Sequence, residues 1–382
     1  MKTLKEIYQA NEELNYIDSS LYSRYRVKAG LRNDNGTGVK VGLTKICDVI
    51  GYKFVHEKKY NIDGQLIYRG YPINYLVDKQ PKDRIFGFEE VAFLLIFGTL
   101  PTKEQLQEFK DYLLNFKMGP VDLQYETPNI LNALQIEVLK LYAKDPSADT
   151  DDLEERMMKG LNILASIPLF TFSYARNKVF KSYPYPDKSL AENILCMARG
   201  NDQYTLEEAR ILDTLLMVHA DHGGGNNSTF ANVVISSTGT DIYSCISAAI
   251  GSLKGPKHGG ANCKVTNMFK AIFHEVGFTT DKLTLKKIAN RLLDKDFFDH
   301  SGLIYGIGHA IYTKSDPRAL LIQQQCEMLA KSKGQDDIYN CIHAFEKVAV
   351  EVMKERKGID VCANVDYYSG YVYSLLGIEN DL

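Results

Sequence analysis

The chain has 382 residues, 45% of them apolar and 24% charged, with 45 basic against 48 acidic side chains and a net charge of −3. That length holds one large domain or two or three ordinary ones, and the composition is globular. No excess of positive charge argues for nucleic acid, so a small anionic substrate would need a local cluster of Arg and His.

The seven cysteines, Cys47, Cys196, Cys245, Cys263, Cys326, Cys341 and Cys362, are odd in number and scattered, and no CxxC pair occurs. This usage predicts a reduced, cytoplasmic protein. The opening "MKTLKEIYQANEELNYIDSS" mixes acids and bases around no apolar core, so no secretory signal is expected. No run approaches the roughly 18 apolar residues of a membrane span.

In chain order, "RNDNGTGVKVG" (32–42) comes first. Its Gly36, Gly38 and Gly42 do not fit GxGxxG, and a surface turn is expected. "YKFVHEKKYNIDGQLIYRGYPI" predicts a small β-hairpin turned at Asp63-Gly64. Helical spacing of apolar residues follows in "EEVAFLLIFG", "ILNALQIEVLKLYA", "LEERMMKGLNILASIPLFTFSYARN" and "LEEARILDTLLMVHADH". It continues through "DIYSCISAAIGSLKG", "LTLKKIANRLLDKD", "DPRALLIQQQCEMLAKSKG" and "DDIYNCIHAFEKVAVEVMKERKG". The expected fold class is all-α, with a minor β-hairpin near the N-terminus. Segments such as "AAIGSL" are apolar nearly all round, as buried helices are. No composition break marks a linker, so two domains would share a packed boundary.

Three histidine-and-glycine corners interrupt the helices. In "VHADHGGGNNSTF", His219 and His222 have a spacing seen in metal sites, but Gly223, Gly224 and Gly225 follow at once and no third ligand is evident. The remaining readings are C-terminal capping of the helix and a glycine-walled pocket that admits a small ligand. In "LKGPKHGGANCKV", His258 precedes a helix pattern that starts near Ala261. An imidazole at a helix N-terminus stays neutral and can donate to a developing oxyanion; the plain alternative is a turn residue. In "YGIGHAIYTKSDPR", His309 lies among Gly306 and Gly308, and Arg318 follows Pro317 at a helix start, where its planar fork can grip a carboxylate. The plain alternative is a helix-loop-helix joint with a surface Arg. Asp366 in "ANVDYYSGYVYSLLG" reads, on its own, as an N-cap.

Taken together and in this order, "HADHGGGNNSTFANVVISSTGTDIYSCISAAIGSLKGPKHGGAN", "GIGHAIYTKSDPR" and "NVDYYSG" resemble the citrate synthase family, and "IDGQLIYRGYPI" matches it too. The resemblance runs from about residue 30 to the end. It implies a large helical domain (1–261, with 368–382 returning to it), a smaller one (262–367), and a cleft between them that closes over substrate. It implies a homodimer or larger homo-oligomer that condenses acetyl-CoA with oxaloacetate, with acetyl-CoA as cosubstrate, no metal, no nucleic acid and no membrane.

By the same resemblance, Asp366 is the base that takes a methyl proton from acetyl-CoA. His258 hydrogen-bonds the thioester oxygen, and His309 protonates the keto oxygen of oxaloacetate. His222 and Arg318 hold oxaloacetate, and Leu303, Ile304, Tyr305, Gly306, Ile307 and Gly308 contact the adenine end of coenzyme A. Two departures stand out. Ala363 replaces the family's usual proline, and the chain stops at "GIENDL", ahead of a stretch that carries two further arginines in the family. The expectations are therefore a citrate synthase, a 2-methylcitrate synthase using propionyl-CoA, or a truncated, catalytically incomplete chain.

Overall fold

The computed structural model describes residues 18, 20–25, 44–56, 58–79, 86–119, 127–255 and 258–378. The Gly-rich stretch at 32–42 and the terminal residues 379–382 lie outside them. After a short helix α1 (Ser20–Tyr25), three antiparallel strands form one sheet in the order β1-β2-β3: β1 (Cys47–Val55), β2 (Lys58–Tyr68) and β3 (Tyr71–Pro72).

The hairpin's last pair is Val55 with Lys58, just where His56 takes a positive φ of 47°, so it does not turn at Asp63-Gly64. Asp63 and Gly64 lie inside β2, at the register irregularity between Ile50 and Tyr52. The reason is tertiary. Gly64 donates its amide to Ser315 Oγ at 3.1 Å, and a Cβ there would stand 2.1 Å from the Ser315 carbonyl oxygen. A Cβ on Gly51 would stand 2.4 Å from the Ile311 carbonyl oxygen. Both glycines let the 309–316 segment lie against the sheet, a close backbone approach that a turn signal imitates in sequence.

The rest is helical: α2 (Ile73–Asp78), α3 (Phe88–Phe97), α4 (Lys103–Leu114), α5 (Ile130–Lys144), α6 (Leu153–Ala175), α7 (Leu190–Arg199), α8 (Leu206–His219) and α9 (Asn227–Ser236). Then follow α10 (Ile242–Leu253), α11 (Ala261–Val276), α12 (Lys282–Leu293), α13 (Pro317–Ser332), α14 (Asp336–Lys357) and α15 (Asp366–Leu375). Their ends are written locally. Thr102/Gln105, Ser189/Glu192 and Thr205/Glu208 form reciprocal capping boxes that satisfy the first free amides of α4, α7 and α8. Gly98, Gly200 and Gly358 close α3, α7 and α14 in the left-handed region.

One hydrophobic core runs through these helices, including Leu66, Tyr68, Leu94, Leu195, Leu215, Ile322, Phe345 and Tyr367. Each such side chain contributes about 1.5–3 kcal/mol on burial. Helix α15 packs on α11 and α13, and α12 packs on α14. Helix α13 also touches α8, α2 and β2, so it straddles the limits expected for the smaller domain. None of the seven cysteines is in a disulfide, and all but Cys263 are buried. Among the described residues no helix is long and apolar enough to cross a membrane.

Candidate active site

The three corners line one cleft of about 750 Å³, into which the ends of α8, α10 and the 308–310 loop open and the starts of α9, α11, α13 and α15 point. At the end of α8, the His219 ring donates from Nδ1 to the Leu215 carbonyl at 2.8 Å, so it does cap the helix's last turn. His219 is exposed where its ring opens to the cleft, and the protein packed around it lowers its pKa. His222 sits three residues on. Its Nε2 is buried and has no hydrogen-bond partner among the described residues. Burial, with Arg318 and the other histidines nearby, holds it well below the usual histidine range, so it is a neutral ring with an unused polar atom.

The second corner is a tight turn. The Gly255 carbonyl accepts the amides of His258 (2.9 Å) and Gly260 (3.2 Å) just before α11. A Cβ on Gly259 would meet the Leu253 carbonyl oxygen at 2.8 Å, so this glycine is sterically required. His258 Nε2 lies 2.9 Å from Ser228 Oγ, and burial lowers the pKa of the ring. Ser228 stands in the first turn of α9, whose cap Asn226 accepts the Ser228 and Thr229 amides. Burial, and not the helix N-terminus named from the sequence, is what favours the neutral ring here.

The third corner fixes a tautomer. His309 Nδ1 accepts the amides of Ile311 and Tyr312, both at 3.1 Å, so a neutral ring carries its proton on Nε2. The ring stacks on Tyr312 at 4.6 Å and 23°, and stands edge-on to His222 at 5.0 Å. Tyr312 is fully buried and donates its hydroxyl to the Gln65 carbonyl at 3.0 Å.

Gly306 and Gly308, with φ of 79° and 104°, pair this loop with residues 362–364. Gly308 donates to the Cys362 carbonyl (2.8 Å), and the Asn364 amide donates to the Gly306 carbonyl (2.9 Å). The ladder uses the groups flanking Ala363 and not its own amide, so the family's proline at this position would break no bond of the pair. Asn364 also donates Nδ2 to the Gly308 carbonyl at 2.9 Å, while its Oδ1 accepts the Asp366 amide at 3.0 Å. One asparagine thus ties the His309 loop to the start of α15.

Asp366 is the first residue of that helix, and its side chain does not cap it. This corrects the N-cap reading. Burial lifts its pKa to about 6, with Arg318 pulling the other way and Asp316 adding to the rise. Arg318 is buried at 6% exposure, and its Nε and Nη2 donate to the two oxygens of Asp316 at 3.0 and 2.7 Å. The bidentate fork is already taken by a residue two positions away. Asp316 uses two of the five N–H donors, which leaves the Nη1 end and one Nη2 hydrogen to face other groups beside a buried positive charge.

Of the loop Leu303–Gly308, only Gly308 lines the cleft. Leu303 is exposed, Ile304 is buried, and the Tyr305 hydroxyl donates to Asp299 at 2.7 Å. Ile307 pairs with Ala363. Among the described residues no group of His, Cys, Asp and Glu is placed to hold a metal ion. The sequence reading passed over Ser228, Asn364, Tyr312 and Asp316. Each lies within a few residues of a corner, but what it does depends on contacts that sequence spacing does not encode.

Residues 33–382 match a family model described as citrate synthase, C-terminal domain. A citrate synthase of Haloferax volcanii is 36% identical over 333 residues, covering 84% of this chain and 81% of that one. A 2-methylcitrate synthase of Corynebacterium glutamicum is 32% identical over 329 residues, covering 83% and 80%. The crystal structure of citrate synthase from Thermotoga maritima is similar with a TM-score of 0.69 at 27% identity, covering 90% of this chain and 84% of that one.

Proposed function

The chain belongs to the citrate synthase family of acyltransferases, and on that premise we propose that the cleft condenses acetyl-CoA with oxaloacetate and hydrolyses the product thioester to citrate and free CoA. The observation that carries this reading is the meeting, in one cleft, of a carboxyl held near pH 6 and imidazoles suited to act as neutral donors.

The residues divide the chemistry. A carboxylate of ordinary pKa is far too weak a base for a thioester α-proton. Lifting Asp366 to about 6 strengthens it, and a fixed donor at the thioester oxygen lowers the demand further. Ser228 Oγ lies 2.9 Å from His258 Nε2; in this reading it donates there, and the imidazole keeps its proton on Nδ1 for that oxygen. Such a donor is worth about 10²–10³ in rate. Asp366 takes the methyl proton, and the enolate carbon attacks the keto carbon of oxaloacetate. The alkoxide formed there takes the Nε2 proton of His309; water then cleaves the thioester, its hydroxyl adding to the acyl carbon and its proton returning to His309, while Asp366 gives its proton to the departing CoA sulfur. His222 Nε2 and the Nη1 end of Arg318 hold oxaloacetate, the first satisfying an otherwise orphaned atom.

In this reading residues 1–261 with 368–382 form the larger domain and 262–367 the smaller, which closes on the cleft and brings the 303–308 loop to coenzyme A. Two copies pair through α9, which has no fully buried residue and leaves Val233 and Val234 half exposed. The enzyme works in the cytoplasm at the head of the tricarboxylic acid cycle, in keeping with seven cysteines that form no disulfide.

The test is release of free CoA from acetyl-CoA and oxaloacetate. Turnover is expected, and its absence with acetyl-CoA and propionyl-CoA alike refutes the reading. The similarity to a 2-methylcitrate synthase favours a second reading in which propionyl-CoA is preferred. One methylene shifts kcat/KM by roughly 10–200-fold, so the ratio for the two thioesters decides between them.

A further inference from the structure

Residues Ala220 to Gly223 join the end of α8 to the glycine run, and His222 is among them. Their own hydrogen bonds are few. The Ala220 amide reaches the Met217 carbonyl at 3.4 Å, and the Gly223 amide goes to the Asp221 carboxylate at 2.6 Å. The Gly223 carbonyl accepts the Asn226 amide at 3.3 Å, the Cys47 thiol bonds the Asp221 carboxylate, and the backbone of Asp221 is tied by one side chain on a distant element. The Tyr68 hydroxyl, at the end of β2 and fully buried, shares its proton between the Met217 carbonyl (3.1 Å) and the Asp221 carbonyl (3.0 Å). It also accepts the Asp221 amide at 3.2 Å. A single oxygen therefore spans the corner, gripping it on the helix side and next to His222.

We infer that Tyr68 is a positioning residue for the oxaloacetate site: its hydroxyl sets the corner that holds His222 at the wall of the cleft. The same strand holds the other ring. The Gln65 carbonyl accepts the Tyr312 hydroxyl, and Tyr312 stacks on His309. Strand β2 thus spaces the two imidazoles that stand 5.0 Å apart. Removing the hydroxyl takes this partner from the Asp221 carbonyl and amide and leaves the Met217 carbonyl with only the long bond from the Ala220 amide, so the corner must shift to recover them. This inference rests on the citrate synthase reading for its kinetic consequence, but not for its geometric one.

The experiment compares Tyr68→Phe with Tyr183→Phe, a second buried tyrosine whose hydroxyl donates to the Ala165 carbonyl at 2.8 Å away from the cleft. In ring-labelled protein the eight histidines give eight imidazole resonances, and His222→Gln identifies that of His222. Tyr68→Phe is expected to move the His222 resonance and to raise KM for oxaloacetate roughly tenfold, leaving KM for acetyl-CoA within about twofold. Tyr183→Phe is expected to lower the thermal midpoint and move neither. An unmoved His222 resonance in Tyr68→Phe, or equal effects of the two variants on it, overturns the inference. The resonance needs no turnover, so an inactive wild-type enzyme would refute the reaction and still leave Tyr68 to be judged on His222.

Discussion

Asp366→Asn separates what the site needs from what the fold prefers. The carboxyl stands at the start of α15, largely enclosed by protein, and its pKa rises from 3.8 to about 6. In the unfolded chain it ionises near the lower value. Between the two the native state binds more protons than the unfolded state, so this group's contribution to stability falls as pH rises. Below the lower value both states are protonated and the penalty vanishes. At about 1.4 kcal/mol per pH unit, the penalty grows to about 1.6 kcal/mol at pH 5 and levels at about 3 kcal/mol above pH 7. Asparagine keeps the shape and removes the charge. The variant should lose turnover and yet melt higher than wild type. A chain of 382 residues has an unfolding entropy of about 0.8 kcal/mol/K, so the gain is about 4 °C at pH 7 and about 2 °C at pH 5. Thermal scans of both proteins across that range measure it. A variant no more stable than wild type at pH 7, or a gain that does not grow with pH, would refute the claim that burial raises this carboxyl.

Three further outcomes follow from the same geometry. The kcat/KM for acetyl-CoA should rise tenfold per pH unit up to about 6 and then flatten, as the base ionises; a profile flat from pH 5 upward would remove Asp366 from that role. Gly64→Ala should destabilise by at least about 1–3 kcal/mol in denaturant titration, because its Cβ would fall 2.1 Å from the Ser315 carbonyl oxygen, and a neutral result would mean the 309–316 loop gives way freely. Asp316→Ala strands the buried Arg318 charge and should lower unfolding free energy by about 3–5 kcal/mol. A loss under about 1 kcal/mol would show that water or another group reaches the guanidinium.

Much of the site was readable in the chain because its chemistry is carried by rare residues in local patterns. Glycines flank the three histidines where the backbone must turn tightly, as Gly259 and Gly306 do, and those constraints act over a few residues. The helices were readable for the same reason: apolar spacing and capping residues are short-range. The missed elements fall into two kinds. Helices such as α4 and α7 have ordinary periodicity and were passed over among stronger signals. The Asp63-Gly64 turn was misplaced because a glycine needed for close approach looks identical, in sequence, to one needed for a bend.

What the sequence determined by itself is the set of elements, the three corners and the identity of the groups they expose, since each depends on neighbours along the chain. Only the tertiary structure decided their electrical state and aim. Burial lifts Asp366 and silences His222, two backbone amides place the His309 proton on Nε2, and Asp316 takes the fork of Arg318. Tyr68 and Gln65 on β2 hold the His222 and His309 corners from about 150 and 250 residues away. Protonation and orientation are set by what surrounds a group in space, and in this fold most of those surroundings are distant in sequence.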